Sequence, residues 1–68
     1  MEKLDARGLS CPEPVILIRR AMLSGDEAYE MVVDNHASKE NVSRYAQHQG
    51  YTVTVTEAGG EYTLTMRK

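Results

Sequence analysis

One stretch of the sequence groups residue types that could carry out thiol chemistry. Residues 8–15, Gly-Leu-Ser-Cys-Pro-Glu-Pro-Val, contain the only cysteine, Cys11, and both prolines. An apolar run typical of a helix follows at once, which predicts that Cys11 caps this helix and that Pro12 is its first residue. Free backbone N–H groups and the positive end of a helix dipole favour the thiolate, the nucleophilic form of cysteine. We therefore expect Cys11 to be partly exposed and reactive.

An alternative interpretation is that Cys11 is a small buried apolar residue, as unpaired cysteines often are. Its position at a proline-fixed helix start, outside any apolar periodic face, favours the functional interpretation. Pro14 falls within the first helical turn, where a missing amide costs little stability, so both prolines stiffen the segment that holds the thiol.

Length and composition limit the class of protein. Sixty-eight residues form one small domain, 1–68, with a marginal core that leaves no room for a deep substrate cavity. A net charge of −2 argues against nonspecific binding to nucleic-acid phosphates. One cysteine cannot form an internal disulfide, and no Cys/His spacing indicates zinc. The free thiol, with no signal peptide and no bilayer-length apolar run, predicts a cytoplasmic protein without a membrane segment.

Hydrophobic periodicity predicts six elements in the order βαβαββ, with strands at residues 3–6, 29–34, 51–56 and 61–66 and helices at about 12–23 and 36–49. Asn35 is expected to cap the second helix, Gly50 to end it, and residues 58–60 to form a hairpin turn. The threonines of the last two strands should face water, so both helices must cover the other face. The predicted fold is therefore an α+β two-layer sandwich.

Helical spacing also predicts which side chains share a helix face, and alternation predicts which side chains of the last two strands face the helices. Val15, Ile18, Ala21 and Met22 fall on one face of the first helix, and Val42, Tyr45, Ala46 and Gln49 share a face of the second. On the last two strands the side chains that should face the helices are Tyr51, Val53, Val55, Tyr62, Leu64 and Met66.

The motif around Cys11 resembles the signature of the TusA/SirA family of small sulfur-carrier proteins. Leu-Asp at 4–5, Gly-Leu at 8–9 and Cys-Pro-x-Pro at 11–14 lead into a helix that carries a basic pair, as in that family. Residues 33–35, 39–42 and 49–51 are similar to the N-terminal module of the YedF branch, which is linked to selenium metabolism and often followed by a second domain. The chain is then either a stand-alone member or a piece of a longer protein. The resemblance implies a mixed four-stranded sheet of order 1-2-4-3, with strand 4 antiparallel.

The resemblance also implies a function. Cys11 would carry sulfur as a persulfide, loaded by a cysteine desulfurase or rhodanese-type donor and unloaded by an acceptor protein. Acceptors in the family serve tRNA thiolation, molybdenum cofactor maturation, or sulfur and selenium metabolism. The chain would be a sulfurtransferase-type carrier rather than a stand-alone turnover enzyme, with no cofactor, no metal, and no direct contact with nucleic acid or membrane. We expect a monomer.

Two other functions are compatible with the sequence. The chain could be a noncatalytic interaction or regulatory module in which Cys11 is incidental. Binding of single-stranded nucleic acid by the open sheet face is disfavoured, because that face should carry threonines rather than stacking aromatic residues.

Several residues near Cys11 are expected to support the site. Gly8 supplies the turn into the cysteine loop, and Asp5 shapes the end of the first strand. Glu13 either complements the helix dipole or contacts a partner, and Arg7 either assists the thiolate or is simply solvated. Arg19 and Arg20 begin about 12 Å along the helix from Cys11, so they either dock a partner or form a solvated face. His36 and His48 are assigned no role.

Overall fold

Two strand–helix units and a hairpin follow one another along the chain, and the computed structural model describes all of them, residues 1–68. The elements are β1 (Glu2–Asp5), α1 (Glu13–Met22), β2 (Ala28–Val33), α2 (His36–His48), β3 (Thr52–Ala58) and β4 (Glu61–Arg67). The predicted order βαβαββ is confirmed, and each boundary lies within two residues of its predicted position.

The four strands form one mixed sheet in the order β1-β2-β4-β3, as the family resemblance implied. β1 is parallel to β2, and β4 is antiparallel to both of its neighbours, β2 and β3. Leu4 lies opposite Met31, and Met31 lies opposite Leu64, so one apolar row crosses three strands on a single face. This arrangement confirms the α+β prediction.

Both helices cover this apolar face and form the core with it. The core residues are Ala6, Ile18, Tyr29, Met31, Val33, Val42, Ala46, Tyr51, Leu64 and Met66. Thr52, Thr54 and Thr56 are exposed on the opposite face of β3, as predicted.

The burial of four residues departs from the sequence patterns, although Val55 does lie on the helix-facing side of β3, opposite Leu64, as predicted. Val55 is 40% exposed, although its cross-strand neighbour Leu64 is buried, because β3 is the edge strand and has a neighbouring strand on one side only. Gln49 is exposed, since it lies just beyond the end of α2. Pro14 and Ser38 are buried, and apolar periodicity had indicated neither of them.

The local signals at the ends of α2 are confirmed. Asn35 is its N-cap and accepts a 2.7 Å hydrogen bond from the Ser38 amide. At the other end Gly50 has φ +91°, and the Gly50 and Tyr51 amides donate to the carbonyls of Gln47 and Ala46. This is the Schellman arrangement, which glycine permits because it adopts positive φ without strain. These caps fix where α2 starts and stops, and so which of its residues reach the cysteine loop.

Candidate functional site

The cysteine loop connects β1 to α1 and is tied to the end of β2. The Ala6 amide extends the parallel pairing by donating to the Val32 carbonyl at 2.9 Å. The Gly8 amide donates to Oδ2 of Asp34 at 2.7 Å, and Gly8 adopts φ +79°, as a residue that supplies a turn should. The loop is therefore anchored at the carboxyl ends of two adjacent parallel strands.

The start of α1 differs from the prediction by one residue. Pro12 is the N-cap and makes no side-chain capping hydrogen bond; Glu13 is the first helical residue and Pro14 the second. Cys11 therefore lies one position before the cap, and the expectation that it caps the helix is wrong. Proline can occupy the N-cap because that position, like the first turn, needs no amide donor. The thiol is exposed, as predicted.

The amide environment of Cys11 also differs from the prediction. Neither proline has an N–H group, the Glu13 amide donates to the Ser10 carbonyl at 2.9 Å, and the Ile16 amide donates to the Pro12 carbonyl at 3.1 Å. The expected set of free backbone donors is thus reduced to the single amide of Val15. The prolines that fix the helix start also remove the groups that would stabilise an anion there.

A side chain of α2 supplies the polar contact to the thiol. Nδ2 of Asn41 lies 3.1 Å from Sγ of Cys11 and donates to it. Oδ1 of Asn41 accepts a short hydrogen bond from Nη2 of Arg44, three residues further along the same helix. The two side chains form a chain of hydrogen bonds from a guanidinium to the thiol.

Cys11 lies in an open cleft of about 450 Å³ between the start of α1 and the last turns of α2. Its lining residues are Cys11, Pro12, Val15, Asn41, Arg44, Tyr45, His48 and Gln49. Sequence reasoning gave none of the α2 residues a role in the site. Their spacing of three, four and seven residues did indicate a shared helix face, but nothing in the sequence showed that this face meets Cys11.

Arg7 is exposed, as a solvated loop arginine would be, and its guanidinium is paired with two carboxylates. Nη2 lies 2.8 Å from Oδ2 of Asp5, and Nη1 lies 3.3 Å from Oε2 of Glu61 at the start of β4. The hydrogen bond from Arg7 holds the pKa of Asp5 at about 2, below its ordinary value of 3.8. The Asp5 carboxylate also accepts from the Arg7 amide, which confirms that Asp5 shapes the turn after β1.

Arg19 and Arg20 do not line the cysteine cleft. They border two other grooves beside exposed apolar residues of α1, where Ile16 is 37% and Leu23 is 86% exposed. Glu13 lies in the first turn of α1 and lines one of these grooves. We name this surface, formed by Glu13, Ile16, Arg19, Arg20 and Leu23, the α1 surface.

Comparison with known proteins agrees with this architecture. The family described as sulfurtransferase TusA matches residues 2–68. The chain belongs to the TusA family. A Methanocaldococcus jannaschii protein provisionally named a sulfur carrier protein is 41% identical over 59 residues, which cover 84% of this chain and 79% of that protein. The crystal structure of a SirA-like protein from Desulfitobacterium hafniense superimposes with a TM-score of 0.89 at 30% identity, covering 98% of this chain and 96% of that one.

Two further properties of this TusA-family chain concern what it could bind. No three or more His, Cys, Asp and Glu side chains are grouped so that they could hold a metal ion. None of its helices has the length and apolar character needed to cross a membrane.

Proposed function

We propose that this chain carries sulfur as a persulfide on Cys11, between a protein that donates the sulfur and a protein that accepts it. The observation that carries the proposal is the exposure of the single thiol at the mouth of an open cleft, in a member of a sulfur-carrier family. A carrier must be reached in turn by two large partners, and an exposed loop allows this whereas a closed pocket does not.

The transfer needs no oxidant or reductant. The Cys11 thiolate attacks the outer sulfur of the donor's persulfide, and a bond forms between Sγ and that sulfur. The sulfur–sulfur bond of the donor breaks, and its electron pair stays on the donor's inner sulfur, which leaves as a thiolate. In the second half, an acceptor thiolate attacks the outer sulfur in the same way and Cys11 leaves as a thiolate. One sulfur atom moves in each step, and the carrier ends as it began.

The donor is a cysteine desulfurase or a rhodanese-type protein, and the acceptor belongs to tRNA thiolation, molybdenum cofactor maturation, or sulfur or selenium metabolism. The α1 surface is the docking site, because it combines two unpaired arginines with exposed apolar side chains on the helix that follows the cysteine loop. Gly8, Pro12 and Pro14 hold the loop and the helix start. A free exposed thiol that must stay reduced between transfers suits the cytoplasm.

Intact mass spectrometry tests the carrier role. Wild-type protein incubated with cysteine, pyridoxal phosphate and a cysteine desulfurase should gain the mass of one sulfur atom, and a reductant should remove it. Cys11→Ser should gain nothing, because no other thiol is present. Its thermal transition should stay close to that of wild type, because the position is exposed and is not a helix cap.

Two results would contradict the proposal. If Cys11→Ser unfolds, Cys11 has a packing role that its exposure does not explain. If wild type never loads from any desulfurase or rhodanese, a noncatalytic interaction module becomes the better account of the chain.

A further inference from the structure

The start of α1 is a poor anion site, although it is a helix N-terminus next to the reactive sulfur. Such a terminus normally presents several amides to an anion. Here the prolines at 12 and 14 contribute none, and the amides of Glu13 and Ile16 are taken by the carbonyls of Ser10 and Pro12. Only one first-turn amide is left, yet the sulfur of Cys11 must be negatively charged both before it is loaded and after it is unloaded. The charge therefore needs a donor from outside α1.

Asn41 is placed to be that donor. Its side chain is half-buried on α2, and Nδ2 lies 3.1 Å from Sγ of Cys11. The orientation of the amide is fixed by its second contact: a guanidinium can only donate, so the amide oxygen must face Arg44 and the amide nitrogen must face the sulfur. A thiolate accepts such a hydrogen bond more strongly than a neutral thiol does.

Arg44 adds charge to this arrangement. Its guanidinium lines the same cleft as Cys11 and has no carboxylate partner, unlike Arg7, which is paired with Asp5 and Glu61. Because Arg44 donates to the oxygen of Asn41, it polarises the amide and strengthens the N–H group that faces Cys11. Asn41 and Arg44 are three residues apart on one helix, so α2 presents them together.

We propose that Asn41, oriented by Arg44, is the positioning residue that holds the charged sulfur of Cys11, in place of the helix amides that the two prolines remove. The role rests on the proposed carrier function, since it concerns the same sulfur. This role for Asn41 means that the two prolines set the position of the thiol, while α2 supplies the hydrogen bond that stabilises its charge.

The pH profile of Cys11 alkylation by iodoacetamide, a small neutral reagent, tests the inference. Asn41→Ala should shift the midpoint of the profile upward by about one pH unit, because a hydrogen bond to a charged group is worth about a tenfold change in ionisation. The plateau rate should rise about threefold, because a more basic thiolate is more nucleophilic. At a pH below the midpoint the alkylation rate should therefore fall about threefold. Asn41→Asp, which keeps the shape but replaces the donor with an acceptor, should shift the midpoint at least as far. Arg44→Gln should give a smaller upward shift, and Arg44→Lys should restore part of it.

Gln47→Ala is the matched control, because Gln47 is an exposed amide on the same helix that does not line the cleft. It should leave the profile unchanged. Circular dichroism melts of all variants would show that the helix still folds, and the isosteric Asn41→Asp keeps the test valid if Asn41→Ala is unstable.

The outcomes separate this inference from the proposed function. Profiles of Asn41→Ala and Asn41→Asp that superimpose on wild type, in protein that still loads sulfur, would overturn the positioning role and leave the carrier function intact. A shifted midpoint in protein that never loads sulfur would support the hydrogen bond and overturn the carrier function. A plateau rate that falls without a shift of the midpoint would show that Asn41 shapes access to the thiol, which also contradicts the inference.

Discussion

The double charge reversal Arg19→Glu/Arg20→Glu tests whether the α1 surface docks the sulfur donor. Both arginines are exposed and unpaired, and both lie outside the cleft that contains Cys11. The substitution should therefore weaken transfer from a protein donor while leaving the reaction of Cys11 with iodoacetamide nearly unchanged.

The magnitude follows from the exposure of the two side chains. A pair of opposite charges about 4 Å apart in water is worth about 1 kcal/mol, so reversing one partner changes the interaction by about 2 kcal/mol before screening. Salt near physiological strength reduces this by about half. Two reversals together should then lower kcat/KM for donor-dependent loading by about 30-fold, mainly through slower association.

The assay is the rate of persulfide formation on Cys11 with a cysteine desulfurase, measured over a range of carrier and salt concentrations. Lys3→Glu/Arg67→Glu is the matched control, because either double variant lowers the net charge from −2 by four. Lys3 and Arg67 are exposed, and they alternate with the inward-facing Leu4 and Met66, so they lie on the sheet face away from the helices.

Three results would refute the reasoning. An equal loss of transfer in the control variant would mean that overall charge, not the α1 surface, governs association. A parallel loss of iodoacetamide reactivity would mean that the arginines act on the thiol or on the fold. Unchanged transfer at low salt would mean that Arg19 and Arg20 are only a solvated helix face.

Two further predictions concern the scaffold around the site. Ile18→Ala should lower the free energy of unfolding by about 3 kcal/mol and the Tm by at least about 10 °C, because Ile18 is fully buried in the core. Urea and thermal melts would compare it with the control Ile16→Ala, which removes a partly exposed side chain. An equal loss of stability in the two variants would contradict the prediction. Arg7 lowers the pKa of Asp5 to about 2, so ionised Asp5 stabilises the fold above about pH 4 and this contribution is lost as the pH falls toward 2. Asp5→Asn should therefore flatten the dependence of Tm on pH across that range, and a curve parallel to wild type would show that the ion pair adds nothing to stability.

The order and type of the elements could be predicted from the sequence because each depends on local patterns. Alternating threonines and apolar residues predicted β3 and β4, the two glycines at 59–60 predicted their turn, and Asn35 and Gly50 marked the ends of α2. The order of the strands in the sheet does not follow from local patterns. Alternation indicates which face a residue occupies but not which strand lies beside it, so the place of β4 between β2 and β3 came from the family resemblance alone.

In the candidate site, too, the features set by neighbouring residues could be predicted, whereas contacts between residues distant in the sequence could not. Cys11 and its prolines are adjacent in sequence, so spacing alone predicted an exposed thiol at a helix start, although it misplaced the cap by one residue. The pairing of Arg7 with Glu61 joins residues 54 positions apart, so the proximity of Arg7 to Cys11 in the sequence did not show which groups its guanidinium contacts.

What the sequence determined by itself is the position of the thiol and the elements that carry it, since capping, turn formation and periodicity act over a few residues. What only the tertiary structure decided is which side chain forms a hydrogen bond with that thiol. Asn41 is 30 residues from Cys11, and it reaches the sulfur because packing on the same sheet face brings α2 against the start of α1. A hydrogen bond of this kind is specified by distance in space, and no local pattern in the chain encodes that distance.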